Sequence, residues 1–496
     1  MSLKQRLLDV FAIDPAAGAV EFKGIWYSWE TILETARLLE TRLAEAGIDP
    51  DAPVGVLIRN RPGHLSALIG LVLADRPIVT VNPLLPDDVI AGEIRKLNLQ
   101  AVVADTDDWS APIRRAAAET GTAGLSLSPD EPRIAHTEGL ERRGPGPFRD
   151  PAPGVIVEML TSGTTGTPKR ISIRTSDFAA SLAGGVWSAR QEAGAPLKLK
   201  RSPSILYVPM LHISGFYRAL FAFYEGRPTV MLEKFSVEGW TDALRRYRPK
   251  TIGLPPTAMR MVLDAGVPKD ALESLVAVTT GTAPLDTATK AAFEERYGIA
   301  VLCNYGATEF LGPVATWTLS DHQKYARQKV GSVGRAIRGT ELRIRDAGSG
   351  AVLGPGEVGI LEVRSKRFGP DADWVGTTDL ASLDDDGFLF LHGRSDSVII
   401  RGGFKVMPEA VSKALEDHPA IREAAVVGLK DERLGAVPAA AVELKNGVTV
   451  SEEDLMDFAR QNLIAYQVPT RFRIVAALPR TPSMKVDLPA VRRLFE

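Results

Sequence analysis

The chain has 496 residues but only one cysteine, Cys303. A single thiol excludes a disulfide framework and a cysteine-rich metal site, and it is typical of a reducing compartment. Long hydrophobic runs are also missing, since no stretch approaches the roughly eighteen apolar residues of a membrane span. The first residues, Met1 to Arg6, lead into a charged, periodic segment without the apolar core of a signal peptide. We therefore expect a cytoplasmic protein with no membrane span.

An excess of either charge is absent too. The 59 Lys and Arg residues nearly balance 61 Asp and Glu residues, giving a net charge of −2. This balance excludes nucleic-acid binding driven by bulk charge as a leading function. No internal repeat at a fixed short period is found, so a solenoid is not indicated. A chain of this length is too long for one core, and two or more domains are expected.

The N-terminal part of the sequence alternates between short apolar runs and amphipathic segments. A helix is predicted over residues 28–47, with Ser28 as its N-cap and Gly47 as its stop. Short apolar runs recur between the helices, at residues 54–58, 78–81 and 101–104. This rhythm predicts an α/β fold with a mostly parallel sheet. It resumes after a connector rich in glycine and proline at 138–154, with a run at 205–208, which predicts a second, similar β/α subdomain.

The pattern changes twice more towards the C-terminus. After about residue 335, short alternating strands broken by glycines predict a small β-rich subdomain that ends near Arg394. Past Asp396 the pattern is α+β, with a helix predicted over 408–416. We expect an N-terminal domain over residues 1–394 and a small α+β domain over residues 395–496.

A dense group of hydroxyls and glycines follows the apolar run that ends at Leu160. Residues 161–170 read TSGTTGTPKR. Glycines allow the backbone to approach a ligand, hydroxyls and amides donate hydrogen bonds, and a lysine adds positive charge. A Walker loop needs glycine before the lysine, Ser or Thr after it and then a helix. Here Pro168 precedes Lys169, Arg170 follows it, and a strand is predicted to return. The segment predicts a phosphate-binding loop of another kind; a plain surface turn is the alternative.

Other motifs bring further reactive side chains. They are LHISG at 211–215, TGTAP at 280–284, YGATE at 305–309, TTD at 377–379, GRSD at 393–396, RGGFK at 401–405 and PRTPSMKV at 479–486. Each motif alone is also compatible with a purely structural role, such as a helix cap, a turn or a solvated surface charge. A carboxylate close to phosphates is the ligand type that Mg²⁺ prefers, which makes Glu309 the candidate metal ligand.

In this order and spacing, the motifs resemble the adenylate-forming superfamily, which contains acyl-CoA synthetases, adenylation domains and beetle luciferases. The resemblance extends from Tyr27 to Lys485 and is greatest to the AMP-forming acid:CoA ligases. It implies that the protein uses ATP and CoA as co-substrates and Mg²⁺ as a cofactor. It also implies that the C-terminal domain is mobile and turns about a hinge at Asp396 between two half-reactions.

The resemblance assigns roles to individual residues. The implied nucleotide-binding residues are Thr161, Ser162, Gly163, Thr164, Thr165, Gly166 and Lys169 at the phosphates, Gly281, Thr282, Ala283, Pro284 and Tyr305 at the adenine, and Asp379 and Arg394 at the ribose. The implied catalytic residues are Lys485, Thr308, Glu309 and His212, with Glu309 holding the metal. Gly402 and Gly403 would reach the site for CoA in the second half-reaction.

Three positions depart from the superfamily pattern. Arg170, Thr378 and Met484 stand where glycine is usual. None of them removes a charged participant, so the departures point to altered kinetics and not to lost activity.

The acyl substrate is constrained by one absence. Amino-acid-activating members carry an aspartate shortly after the histidine motif, but the segment from Ile213 to Phe223 has no acid, and Arg218 is its only charge. We expect a carboxylic acid without an α-amino group. The predicted acyl pocket, which suits an aryl, alicyclic or fatty group, consists of His212, Phe216, Tyr217, Leu220, Asn304, Gly306, Phe310 and Leu311.

The acceptor is less constrained. CoA is favoured over the phosphopantetheine arm of a separate carrier protein, because no carrier domain is fused to the chain. For the activity, a catalytically idle nucleotide-binding protein and a luciferase-type oxygenase stay open as alternatives. For the assembly, a homodimer stays open.

Overall fold

The computed structural model describes residues 2–161, 169–188, 197–281, 283–307, 310–366, 372–481 and 485–496. Of Thr161, Lys169 and residues 185–188, only the backbone is described. Within these ranges, no helix combines the length and the hydrophobicity that crossing a membrane requires.

The first part of the chain builds a seven-stranded sheet. Its elements are α1 (Leu3–Phe11), β1 (Gly18–Phe22), β2 (Ile25–Ser28), α2 (Trp29–Glu45), β3 (Val54–Leu57), α3 (Pro62–Leu73), β4 (Ile78–Val81), α4 (Asp87–Leu97), β5 (Ala101–Asp105), α5 (Ala111–Thr120), β6 (Ala123–Leu127), β7 (Ile134–His136), β8 (Val155–Thr161), β9 (Lys169–Arg174) and α6 (Thr175–Ser188). The strand order is β7-β6-β5-β3-β4-β8-β9, with antiparallel edge strands β7 and β9. Every residue of β3, β4 and β5 is buried, which explains why these strands do not alternate in polarity.

Local chemistry sets the helix boundaries in this part. The Ser28 hydroxyl accepts a hydrogen bond from the Thr31 N–H at 3.1 Å, and α2 therefore begins at Trp29 as predicted. Gly47 follows the end of α2 with φ at +78°, a conformation that favours glycine.

The middle of the chain contributes two sheets. Its elements are β10 (Ser204–Leu206), α7 (Ile213–Tyr224), β11 (Thr229–Met231), α8 (Val237–Tyr247), β12 (Thr251–Gly253), α9 (Pro256–Asp264), β13 (Ala277–Thr280), α10 (Thr287–Tyr297), β14 (Ala300–Ala307), β15 (Gly312–Thr316), α11 (Leu319–Tyr325), β16 (Ser332–Ala336), β17 (Thr340–Arg345), β18 (Gly359–Ser365), β19 (Val375–Leu383) and β20 (Phe388–Arg394). Parallel strands β12, β13 and β14 continue into antiparallel strands, giving the order β12-β13-β14-β15-β16-β20-β19-β18-β17. The second β/α unit and the β-rich subdomain thus share one nine-stranded sheet.

Strand β10, predicted as part of the second β/α unit, pairs elsewhere. It joins β11, β1 and β2 in a four-stranded sheet. The helix between β10 and β11 is α7, whose Phe216 and Phe223 lie in the core that also contains Phe11 of α1. This packing draws the two strands away from β12.

The C-terminal part has its own sheet and core. Its elements are β21 (Ile399–Arg401), β22 (Phe404–Val406), α12 (Pro408–Glu416), β23 (Ile421–Asp431), β24 (Gly435–Leu444), α13 (Glu452–Asn462), β25 (Arg471–Val475) and α14 (Leu488–Arg493). The five-stranded sheet has the order β22-β21-β24-β23, with β25 parallel to β24. The α/β class, with a large N-terminal part and a small C-terminal part, is confirmed. The exact boundary at residues 394 and 395 stays a prediction.

Candidate active site

The candidate site lies at the carboxyl ends of β13 and β14, where the predicted adenine residues meet. A Cβ atom on Gly281 would lie 2.2 Å from Asn304 Oδ1, so the close approach of the two strands requires glycine there. Of the other predicted adenine contacts, Ala283 is partly exposed and Pro284 is exposed. The backbone of Gly281 and the ring of Pro284 are therefore accessible at this edge.

A hydrogen-bonded group spans three strands beside that edge. Asp379 of β19 lies directly opposite Arg394 of β20. The Tyr305 hydroxyl donates to Asp379 Oδ2, linking the group to β14. Arg394 in turn donates from Nε and Nη2 to the two carboxylate oxygens of Asp396, each at 2.8 Å. The predicted ribose residues and the predicted hinge residue are therefore in direct contact.

Lys485 reaches this group from the C-terminal part of the chain. The Thr481 N–H donates to the Lys485 carbonyl at 2.8 Å, and Arg480 pairs with Val486 in an antiparallel bridge, which fixes the turn that carries the lysine. Burial lowers the pKa of Lys485, the charge of Arg394 lowers it further, and Asp379 opposes the shift. The ammonium thus lies in the electrostatic field of the predicted ribose residues.

His212 is the second residue close to that ammonium. It is the N-cap residue of α7. Burial, and then the charge of Lys485, lowers its pKa to about 4, so the imidazole is neutral at neutral pH. Its Nε2 atom is buried and has no hydrogen-bond partner among the described residues. A buried nitrogen in that position can serve a bound carboxylate.

An ion cluster joins the two parts of the chain below Lys485. Arg260 of α9 contacts Asp286 at 2.7 Å and Glu423 of β23 at 3.0 Å. Arg480 donates to Glu423 and also to the Thr257 hydroxyl, the latter at 3.1 Å. We call Arg260, Asp286, Glu423 and Arg480 the interdomain cluster. Burial raises the pKa of nearby Glu416 to about 7.

Arg170, which departs from the superfamily pattern, is anchored in the first subdomain. Its guanidinium donates to the carbonyls of Thr80 and Glu158 at 3.0 and 3.3 Å and pairs with Glu93 at 3.3 Å. Desolvation lowers the pKa of Arg170, and the charges of Glu93 and Glu158 oppose this shift. The predicted returning strand is β9, in which Arg170 lies opposite Leu160 of β8.

Thr378, the second departure, is accommodated by its place in β19. Its side chain is exposed, and its carbonyl accepts hydrogen bonds from the Ser395 N–H at 2.7 Å and hydroxyl at 2.9 Å. A side chain at this position therefore meets no obstacle in the strand.

Several predicted residues lie outside the described ranges, and their roles stay predictions. They are Ser162, Gly163, Thr164, Thr165, Gly166, Thr282, Thr308, Glu309 and Met484; of Thr161 and Lys169 the side chains are not described. Within the described part of the chain, no group of three or more His, Cys, Asp or Glu residues could hold a metal ion. The predicted magnesium ligand, Glu309, is thus untested.

The predicted acyl residues fall into two groups. Phe216 and Leu220 have no exposed surface and face the first core, and Phe310 and Leu311 are almost fully buried. Tyr217 is partly exposed, stacks on Phe221 at 5.7 Å and hydrogen-bonds the Ser181 carbonyl. The accessible candidates are His212, Tyr217, Asn304 and Gly306. Contact of any of these residues with an acyl group stays a prediction.

The sequence prediction noted the charge of Arg218 but did not include this exposed residue in the acyl pocket. The guanidinium of Arg218 lies against Gly253 at the end of β12. Helical periodicity could have indicated this, because Phe216, Leu220 and Phe223 share the buried face of α7 and Arg218 lies on the opposite face.

The single cysteine lies next to Asn304 on β14. Burial raises the pKa of Cys303 to about 11, so its thiol stays protonated at neutral pH. A protonated thiol is a poor nucleophile.

Comparison with known proteins gives the family. A model described as AMP-binding enzyme matches residues 10–368, and one described as AMP-binding enzyme C-terminal domain matches residues 410–485. The 2-succinylbenzoate–CoA ligase of Geobacillus kaustophilus is 28% identical, over 94% of this chain and 92% of that protein. A 4-coumarate–CoA ligase of Vanilla planifolia is 26% identical, over 91% and 85%. ATP-bound MatB from Rhodopseudomonas palustris has the same fold, with a TM-score of 0.82, 22% identity and coverage of 100% and 98%. The first model covers well over half of the chain, and the predicted superfamily is thereby confirmed: this chain belongs to the AMP-binding enzyme family.

Proposed function

We propose that this AMP-binding enzyme is an AMP-forming acyl-CoA synthetase. It activates a carboxylic acid with ATP to an acyl-adenylate and then transfers the acyl group to the thiol of CoA. The observation that carries the proposal is the position of Lys485, which comes from the C-terminal part of the chain and lies in the field of Asp379, Arg394 and His212.

The residues at the site fit a nucleotide. Gly281 leaves no Cβ between the strands, where a flat ring would lie against backbone and Tyr305. A carboxylate such as Asp379 can accept hydrogen bonds from two neighbouring hydroxyls of a ribose. ATP supplies the α-phosphorus that is attacked and pyrophosphate as the leaving group. Glu309 is proposed to hold Mg²⁺.

The chemistry requires neutralisation of charge more than covalent catalysis. In the first step a substrate carboxylate oxygen forms a bond to the α-phosphorus, and the bond to pyrophosphate breaks. Two anions must approach each other, and the Lys485 ammonium offsets their repulsion. The neutral imidazole of His212 presents an unpaired nitrogen that can orient the carboxylate.

In the second step the CoA thiolate attacks the acyl carbon, and AMP leaves with the bonding electrons. The thiol gives up its proton to solvent. Gly402 and Gly403 form the tight turn between β21 and β22, with φ at +56° and +89°, so both need the left-handed conformation that glycine tolerates. We assign this exposed turn to the CoA step, as the superfamily resemblance implies.

The acid is proposed to carry an apolar body without an α-amino group. The face of α7 beside the site offers aromatic surface, with Tyr217 stacked on Phe221, and no acid that could hold an ammonium group. 4-Coumarate and 2-succinylbenzoate, the acids named for two relatives, are aromatic carboxylic acids. An aryl, alicyclic or fatty acid is the proposed class.

The test is acid-dependent release of pyrophosphate with a broad panel of acids, with and without CoA. We expect at least one acid without an α-amino group to release pyrophosphate, and acyl-CoA with AMP to accumulate only when CoA is present. Lys485→Ala should lose pyrophosphate release and keep thioester formation from supplied acyl-adenylate. If no acid releases pyrophosphate, the proposal is wrong; if pyrophosphate appears but CoA is not acylated, the acceptor is another thiol, such as a carrier arm.

A further inference from the structure

Arg218 is the only charged residue of α7, whose sequence is ISGFYRALFAFY. Many arginines in this chain pair with a carboxylate, but no described acidic residue forms an ion pair with Arg218, and its guanidinium donates no hydrogen bond to a described residue. A guanidinium beside aromatic surface gains from an anion that arrives with a ligand.

The guanidinium of Arg218 lies over the backbone of β12. A Cβ on Gly253 would lie 2.5 Å from one Nη atom and 2.8 Å from the other, so Gly253 provides the space that Arg218 occupies. The carbonyl of the same glycine accepts its hydrogen bond from the buried Tyr207 hydroxyl and not from the guanidinium, so the N–H groups of Arg218 stay available to an acceptor.

Gly253 lies on the same face of the sheet as the candidate site. It pairs with Thr279 of β13, which pairs with Leu302 of β14. Two residues farther along each of these last strands are Gly281 and Asn304, and side chains two residues apart point to the same face. A continuous strip therefore crosses from the predicted adenine edge to Arg218.

The geometry of α7 gives the distance from the reacting end. His212 caps the helix beside Lys485, and Arg218 follows six residues later, a rise of about 9 Å along the axis. Ser214 lies one turn before Arg218 on the same face. A substrate whose reacting carboxylate lies at His212 would therefore have to span about 9 Å along the axis to reach the guanidinium.

We propose that Arg218 determines specificity by binding a second carboxylate, at the end of the acid remote from the reacting group. The inference rests on the proposed acyl-CoA synthetase activity and narrows its substrate to a dicarboxylic acid with an apolar middle. A guanidinium matches a carboxylate through two parallel hydrogen bonds, which a lysine cannot reproduce. Arg218 thereby acts on choice of acid and not on the chemical step.

The experiment compares acids in pairs of equal carbon number, one with a single carboxylate and one with two, in an aliphatic series and an aromatic series. The readout is kcat/KM for acid-dependent pyrophosphate release. The wild-type enzyme should prefer the diacid of the best pair by about tenfold or more. Arg218→Leu should remove this preference through a higher KM for the diacid, and Arg218→Lys should restore part of it.

Two further variants separate a specific role from a structural one. Gly253→Ala should displace the guanidinium and reproduce the loss of preference. Arg245→Leu, which removes an exposed arginine of α8, should leave the preference intact. An unchanged ratio of diacid to monoacid in Arg218→Leu overturns the inference and leaves the proposed activity standing. Equal kcat/KM values of the wild-type enzyme for the diacid and for its half-methyl ester would also overturn the inference. Absence of pyrophosphate release with every acid would instead contradict the proposed activity itself.

Discussion

Lys485 affects the protonation of His212, because both residues are partly withdrawn from water and the charge of the lysine disfavours a second positive charge on the imidazole. In the proposed mechanism, the lysine must keep its proton to offset the charges of substrate and phosphate. The histidine stays neutral down to a pKa of about 4, so its charge does not change across the range in which most enzymes work. The pH response of the first half-reaction therefore depends on the lysine.

We predict that pyrophosphate release declines on the alkaline side before pH 10.5, the ordinary pKa of a lysine. Burial and Arg394 lower the pKa of Lys485, so the active, charged form is lost at a lower pH than for an exposed lysine. The pH profile of kcat/KM measures this. Lys485→Arg should carry its residual activity to higher pH, because a guanidinium stays charged. Identical alkaline limbs in the two proteins would assign the decline to another group.

At the scale of an element, an arginine anchors the β8–β9 pair, and glycines allow the turn between β21 and β22. Arg170 ties β9 to three partners on β4, β8 and α4 where the superfamily usually has glycine. The strand that returns from the predicted phosphate loop is therefore braced against the first subdomain.

We predict that Arg170→Gly lowers the free energy of unfolding by about 2 kcal/mol, because three hydrogen bonds of a partly buried guanidinium are lost. The KM for ATP should rise as well, since the predicted phosphate loop adjoins β9. Urea unfolding and ATP titration measure the two effects. Arg174→Gly, at the exposed end of the same strand, is the control and should leave KM unchanged. Equal effects of both variants on KM would contradict the bracing.

The β21–β22 turn gives a second test. Gly403→Ala should cost about 1 kcal/mol, because an L-residue is strained in the left-handed conformation. If the turn serves CoA, acyl transfer from supplied acyl-adenylate should slow while pyrophosphate release is kept. The matched control is Gly447→Ala, which has a φ of +75° and equally open surroundings in the same domain. A similar loss of acyl transfer in that control would assign the effect to general strain.

At the scale of the whole molecule, the interdomain cluster connects the turn that carries Lys485 to α9. Glu423 receives Arg260 from one part of the chain and Arg480 from the other, and Arg480 adjoins the turn that carries the lysine. The cluster therefore acts on the position of the ammonium.

We predict that Glu423→Gln slows pyrophosphate release severalfold, because it removes the charge that both arginines share. Thioester formation from supplied acyl-adenylate should be unchanged or faster, since the superfamily resemblance implies that Lys485 leaves the site for that step. Glu453→Gln, on the exposed face of α13, is the control. A parallel loss of both half-reactions would show that Glu423 serves only the stability of the fold.

Glu416 adds a pH dependence to the same contact. Its pKa of about 7 in the folded chain lies above its ordinary value of 4.5, so the folded state holds a proton that the unfolded state loses. Stability should therefore fall as pH rises from 4.5 through 7. Thermal unfolding across this window measures the slope. Glu416→Gln should flatten it, because the amide keeps the acceptor for the Ala424 N–H without titrating; an unchanged slope would exclude Glu416 as its source.

The sequence predicted those parts of the fold that depend on local chemistry. Ser28 caps α2, and Pro408 begins α12 at the predicted residue. Pairing between distant strands was not readable: β10 joins the sheet of β1 through β11, and the nine-stranded sheet merges two predicted subdomains. Such pairing is set by cores that no single segment encodes.

The candidate site shows the same division. Motifs identified Asp379, Arg394 and Lys485, and the structure brings them together. The interdomain cluster was missed because Arg260, Glu423 and Arg480 are common surface residue types without a motif. The pocket prediction counted apolar residues of α7 without assigning them to faces, and so it included Phe216 and Leu220, which the structure buries in the core.

The lone thiol of Cys303 has a practical consequence for following the motion that the superfamily resemblance implies. With its pKa raised to about 11, the thiol is almost entirely protonated near neutral pH, and we expect it to react slowly with maleimides. A cysteine introduced on an exposed position of each domain can then be labelled selectively with a donor and an acceptor dye, without first removing the native residue. The distance between the dyes reports the orientation of Lys485 relative to the site during turnover.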